Sequence, residues 1–147
     1  MMDVTLDWLD GVLDVALADD GDLATDDGLR TAVALSLLCD RRAEPDDVLP
    51  DGSTDRRGWW ADAIADQDGD KWGSRLWLLN REKTLPEVRR AAEAYAREAL
   101  AWLLEDGVAT EVEAISETLD RDVLWLRVII QRGDGTRLAD RYQYVWR

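Results

Sequence analysis

The stretch that decides the fold is VLWLRVIIQRGDGTRLADRYQYVW, residues 123–146. Its first nine residues alternate: Leu124, Leu126, Val128 and Ile130 fall on one side of an extended chain and Val123, Trp125, Arg127 and Ile129 on the other, because successive strand side chains point to opposite faces. Gly133-Asp134-Gly135 supplies a turn, and residues 137–146 return with Tyr142, Tyr144 and Trp146 on one face, a β-favouring composition. One face of this hairpin is wholly apolar and the other nearly so, which calls for cover on both sides. The chain itself can cover one face; a partner protein is the natural cover for the other.

Working outward, residues 110–118 read as a polar, marginal strand with Val112 and Ile115 as its apolar content. Before it lies the strongest helical pattern of the chain. Val88, Ala91, Ala92, Tyr95, Ala99, Trp102 and Leu103 recur at helical spacing, with Arg89, Arg90, Glu93, Arg97 and Glu98 opposite. Thr84 and Glu87 form a capping box around Pro86, and Gly107 gives the stop. The spacing predicts one helix of about 22 residues, roughly 33 Å long. Residues 74–80 read as a short helix. Near the N-terminus, apolar alternation around Asp10-Gly11 predicts a hairpin within residues 3–17. Thr25 is positioned to cap a helix running to about Cys39, with Asp26 and Asp27 at its positive end. The sum is an α+β fold: a small mixed sheet, built from the N-terminal hairpin and the C-terminal antiparallel strands, packed against two or three helices in a single domain spanning residues 1–147.

Residues 40–73 interrupt this order. Fifteen of these 34 residues are charged, prolines and glycines recur, and no helical or strand period persists. Irregular connections of this length are uncommon in compact domains unless they serve a function. Trp59, Trp60 and Trp72 nonetheless lie inside it, and indoles need something to pack on, their own domain or another protein. The composition predicts a loop that orders on assembly. Trp102 and Tyr95, on the helix stripe, belong to the core.

The charge layout narrows the function classes. The chain of 147 residues carries a formal net charge of −14. Residues 1–70 hold 19 acids against 5 bases and account for all of it; residues 71–147 hold 13 of each. Phosphate binding needs clustered bases, so nucleic acid is not an expected partner. No stretch approaches the ~18 apolar residues of a membrane span, and the N-terminus carries no signal-peptide pattern. One cysteine, Cys39, excludes intramolecular disulfides and suits a reducing cytoplasm. With no histidine in the chain, that thiol lacks the usual base for nucleophilic work and reads as packing.

Catalytic and metal chemistry find little support. Asp66-Gln67-Asp68-Gly69-Asp70 opens like a calcium loop, but Lys71 stands at the sixth position and Trp77 at the twelfth, where glycine and a bidentate glutamate belong. One cysteine and no histidine argue against zinc. Carboxylate pairs suited to glycoside hydrolysis occur only as chance pairs among 32 acids. No catalytic residue, cofactor or metal site is expected.

A family resemblance enters with Gly21 to Leu29, Leu35 to Ala43, Leu49-Pro50-Asp51-Gly52, Asp55-Arg56-Arg57-Gly58-Trp59-Trp60 and Gly73-Ser74-Arg75-Leu76-Trp77-Leu78-Leu79. In this order they resemble the tail baseplate proteins of Mu-like phages across nearly the whole chain. That family is distantly similar to the sheath-initiating wedge subunit of T4-like contractile tails and of type VI secretion baseplates. The resemblance implies a structural subunit and not an enzyme, present once per wedge of a six-fold ring. It implies binding to neighbouring wedge proteins and to the tail sheath protein through the C-terminal strands, and a place in the virion tail after assembly in the bacterial host cytoplasm. The wedge relatives carry a Glu-Pro-Arg motif where the long helix meets the strands; here the place reads Glu105-Asp106-Gly107, and only the glutamate matches. The candidate partner interface is therefore Arg41, Arg42, Arg56, Arg57, Trp59, Trp60, Glu105, Arg141, Tyr142, Tyr144 and Trp146. A competing role for the four arginines is to neutralise the local aspartates, and for the three C-terminal aromatics to fill the core. The alternative function is an acidic adaptor or inhibitor that binds a basic surface of a host protein.

Overall fold

The computed structural model describes residues 3–9, 12–22, 25–26, 28–50, 52–64, 71–80, 86–120 and 123–145. The fold is α+β. Strands β1 (Asp3–Val4), β2 (Leu6–Leu9), β3 (Val12–Val15) and β4 (Thr25–Asp26) precede helix α1 (Leu29–Leu38). Two 3-10 turns follow, at Trp60–Ile64 and Arg75–Leu79. Then come α2 (Pro86–Ala99), α3 (Ala101–Glu105) and the strands β5 (Glu111–Asp120), β6 (Val123–Gln131) and β7 (Arg137–Val145).

The C-terminal strands form one antiparallel sheet in the order β5-β6-β7. Register pairs Val128 with Ala114 and Asp140, and Leu126 with Ser116 and Tyr142. The alternation in β6 is realised: Leu124, Leu126, Val128 and Ile130 are all buried, while Val123, Trp125 and Ile129 stay half-exposed and Arg127 exposed. The buried row belongs to one core cluster with Val33 and Leu37 of α1, Leu76 of the second 3-10 turn, Ala92 and Ala96 of α2, and Leu100 and Leu103. Alanines on the buried face of α2 leave room for the helix to lie close on the sheet. The N-terminal hairpin forms as β2 paired with β3, Leu6 opposite Val15, and stands as its own two-stranded sheet, separate from the three-stranded one. Its expected turn at Asp10-Gly11 lies outside the described residues.

Two expectations are corrected. Thr25 does not cap α1: Thr25 and Asp26 pair with Val4 and Asp3 as β4, and the helix starts after Gly28, whose φ of 80° reverses the chain. The Thr31 hydroxyl then ties α1 to β1 by donating to Val4 O at 2.9 Å. The single long helix is also two pieces. At Leu100 the backbone shifts to φ −103°, ψ 5°, and the Leu103 N–H bonds to Leu100 O, three residues back, in the tighter 3-10 manner. Leu100 and Leu103 are both fully buried, so packing sets the break where the sequence carries no breaker. The Thr84 end of the capping box lies outside the described residues. Gly107, at φ 70°, turns the chain, and Thr110 N–H reaches Gln131 O at 2.8 Å to start β5.

Candidate docking site

The segment after α1 is held mainly by its arginines and by the turn at Arg75–Leu79. The Arg41 N–H bonds to Ser74 O and the Ser74 N–H to Cys39 O, both at 2.9 Å, which fastens the loop's two ends together. Gly73 permits this contact: a Cβ there would lie 2.5 Å from Cys39 O. Arg56 donates to Glu44 O and Pro45 O, Arg41 to Lys71 O, and Arg42 to Arg57 O at 3.3 Å. Arg57 pairs with Asp40 at 2.8 Å and lies over the buried Trp77 ring, 4.4 Å from its centroid. The indole N–H of Trp77 donates to Arg41 O. Of the four candidate arginines, only Arg57 neutralises an aspartate among the described residues; the others chiefly bind main-chain carbonyls and hold the loop in shape. The part of this segment that the structure describes thus carries bonds of its own, where composition alone predicts order only on assembly.

Arg75, absent from the sequence-derived site, is the centre of this arrangement. Its guanidinium meets Asp47 at 3.0 Å and Glu98 at 2.9 Å and stacks over Tyr95. Burial disfavours its charge, and the two carboxylates more than offset that, so it is held protonated. Lys71 likewise pairs with Glu44 at 2.7 Å, and its ammonium pulls the Glu44 carboxyl below its ordinary value.

Trp59 and Trp60 emerge from this frame. They are 52% and 74% exposed, with ring centroids 5.9 Å apart, and Ile64, at the end of the same 3-10 turn, is also exposed. Beside Trp59 an apolar groove of about 680 Å³ is lined by Cys39, Asp40, Gly58 and Trp72. A second groove of about 400 Å³ shares Gly58 and Trp59 and runs past Arg42, Trp60 and Lys71.

The C-terminal sheet offers the other candidate surface, and its two edges differ. Thr110 N–H bonds to Gln131 O and Arg132 N–H to Thr136 O. By antiparallel alternation, Val112, Ala114, Ser116 and Thr118 then turn their main-chain groups outward from β5, and Arg137, Ala139, Arg141, Gln143 and Val145 turn theirs outward from β7. The β5 edge is capped by α2 at Ser116: its N–H and Oγ both donate to Glu93 Oε1 at 2.9 and 2.8 Å, and Arg89 donates to Ser116 O at 2.8 Å. Burial pushes the Glu93 carboxyl up, and the two bonds from Ser116 with Arg97 and Arg89 nearby bring it below its usual range. Arg89 and Glu93, assigned to the solvent face of the helix from spacing, are therefore turned onto β5. Among the described residues, no main-chain hydrogen bond reaches the outward groups of β7.

The remaining candidates fall into place separately. Tyr142 is buried in the core beside Leu126, and burial, with Asp140 nearby, raises its phenol above the ordinary value. Arg141 is exposed, pairs with Glu117 and lies 5.5 Å from the Trp125 ring centroid. Glu105 is exposed at the end of α3. Tyr144 lies opposite Leu124 in the register; its side chain and Trp146 lie outside what is described, as does the calcium-like stretch 66–70. Among the described residues no hydrogen bond, ion pair or ring contact joins the Arg-Trp loop to Arg141 or Tyr142. Nor, among them, does any cluster of three potential metal ligands occur, and no helix is long and apolar enough to cross a membrane.

Comparison with known proteins adds a family. Residues 29–137 match the family model described as phage protein GP46. The chain is 44% identical over 136 residues to a protein named baseplate protein gp46 of Escherichia phage Mu, covering 92% of this chain and 91% of that protein. It is 36% identical over 146 residues to the Mu-like prophage FluMu protein gp46 of Haemophilus influenzae, covering 99% and 98%.

Proposed function

The chain belongs to the phage protein GP46 family, and from that premise we propose that it is a structural subunit of a phage tail baseplate. It binds neighbouring baseplate proteins and performs no turnover. Its place is the tail of the virion, reached after assembly in the bacterial cytoplasm. In the finer reading it sits once in each wedge of a six-fold ring and starts the sheath by accepting a strand from the first ring of sheath protein.

The observation that carries this finer reading is the inequality of the two sheet edges. An edge strand with unpaired main-chain groups is a template for another strand. Ser116 of β5 already has its N–H and C=O bonded to Glu93 and Arg89, whereas β7 offers five residues' worth of outward groups in a locally basic setting, with Arg137 and Arg141 exposed.

The test is Ala139→Pro. Its N–H faces outward, so proline removes a docking donor and leaves the β6 ladder intact, a placement that edge strands tolerate. Asp140→Pro is the control that breaks a ladder bond. The expected outcome is a folded Ala139→Pro protein that enters baseplates whose tails lack sheath under the electron microscope. Normal sheaths on baseplates carrying folded Ala139→Pro would rule out strand acceptance at β7.

A further inference from the structure

The paired grooves at Trp59 are unused by strand acceptance at β7. We propose that they seat a short segment of another baseplate protein that carries an apolar side chain and, within a few residues, a carboxylate. This rests on the baseplate reading and specifies a second contact within it.

The grooves exist because of Gly58. It sits at φ 105°, and a Cβ there would meet Arg42 Cβ at 2.6 Å, so the chain entering Trp59 lies directly on the Arg42 stem. That places an indole wall, which shares its groove with Cys39 and Trp72, beside the groove that Arg42 lines. A volume of about 680 Å³ lies within the span of pockets that hold a ligand, roughly 300–1,000 Å³, and accepts one or two side chains.

Charge selects the occupant. Arg57 is matched by Asp40 and Lys71 by Glu44. Arg42, exposed on the same wall, has only the Arg57 carbonyl, at 3.3 Å, and pairs with no carboxylate among the described residues; Asp62, which lines the same groove, accepts instead from the Trp72 N–H. Among the described residues it is a cation without a carboxylate partner, in the half of the chain that holds 19 acids against 5 bases. A polyanion such as nucleic acid, or a strongly acidic tail, is repelled by the net charge of −14. A single carboxylate beside an apolar anchor gains the charge-assisted bond without that repulsion. Trp60, 74% exposed, is the indole that closes over such an anchor, as aromatic side chains do at the centres of interfaces.

The experiment uses tails assembled with the full chain. Cys39, the one cysteine present, lines the groove, so its alkylation by N-ethylmaleimide reports occupancy. A photoreactive benzoylphenylalanine at position 60, followed by mass spectrometry, reports the occupant. The expected results are alkylation slowed about tenfold or more in tails relative to the free chain, and one cross-linked protein segment with an apolar residue near an Asp, a Glu or a C-terminus. Arg42→Glu abolishes the cross-link and Arg42→Lys keeps it. Tails that contain the chain with Cys39 as reactive as in the free protein overturn the proposal and leave the baseplate reading standing. So does a cross-link to DNA, to lipid or to a segment without a carboxylate. A chain absent from purified tails overturns both.

Discussion

Arg75 ties the turn that carries it to two stretches far apart in sequence: the loop, through Asp47, and α2, through Glu98 and stacking over Tyr95. Its side chain and that of Asp47 are largely out of solvent, so removing it strands two carboxylates. Arg75→Ala should lower unfolding free energy by about 2–3 kcal/mol, whereas Arg141→Ala, half-exposed beside Glu117, should change it by about 0–1 kcal/mol. Urea unfolding with an unchanged slope reads both. Glu93 gives a pH signature. Its folded carboxyl titrates below the unfolded value, so its contribution is fully present above the glutamate range and is lost as pH falls through the folded value. The unaltered protein should lose stability over that acid window, and Glu93→Gln should be less stable at neutral pH and lose less on acidification. Identical profiles would mean that the Ser116 bonds contribute nothing. The clamp also limits charge-reversal tests of an adaptor role: Asp46 is exposed and suitable, but reversing Asp47 would unfold the Arg75 contact.

At the scale of elements, what the sequence made legible followed from periodicity. The β6 alternation, the return strand, the N-terminal hairpin and the α2 stripe all emerge because a period of 2 or 3.6 is a direct record of which face is buried. The break at Leu100, the strand at Thr25 and the aim of Arg89 and Glu93 did not, since each is decided by a partner remote in sequence: Leu103 against the sheet, Val4, and Ser116. A serine at a core-facing strand position opposite an i,i+4 Arg–Glu pair is the one signal that could have pointed to the cap. Loop 40–73 was legible as irregular, and its arginines and tryptophans as candidates, but composition does not say which carbonyls the arginines reach. Those bonds predict slow amide exchange at Arg41, Ala43 and Ser74 in the free protein, because their N–H groups bond to Ser74 O, Arg56 O and Cys39 O. Fast exchange at all three would return the loop to one that orders on assembly.

For the whole molecule, charge and shape act together. All of the net −14 belongs to residues 1–70, while the sheet presents Arg127, Arg137 and Arg141. A polarised molecule of this kind is oriented as it approaches its partners, so its association rate with baseplate intermediates should fall as salt rises from about 0.05 to 0.5 M, across which the screening length shrinks severalfold. Stopped-flow mixing measures this, and a salt-independent rate would exclude steering. The cap of Arg89 and Glu93 on Ser116 has a consequence for counting. A three-stranded sheet whose one border is blocked at Ser116 is more readily lengthened from the other, so a copy that accepts a strand does so at β7 and is not easily threaded into a continuing ribbon. Under the proposed strand acceptance at β7, the protein would act as a one-sided seed, each copy starting one chain.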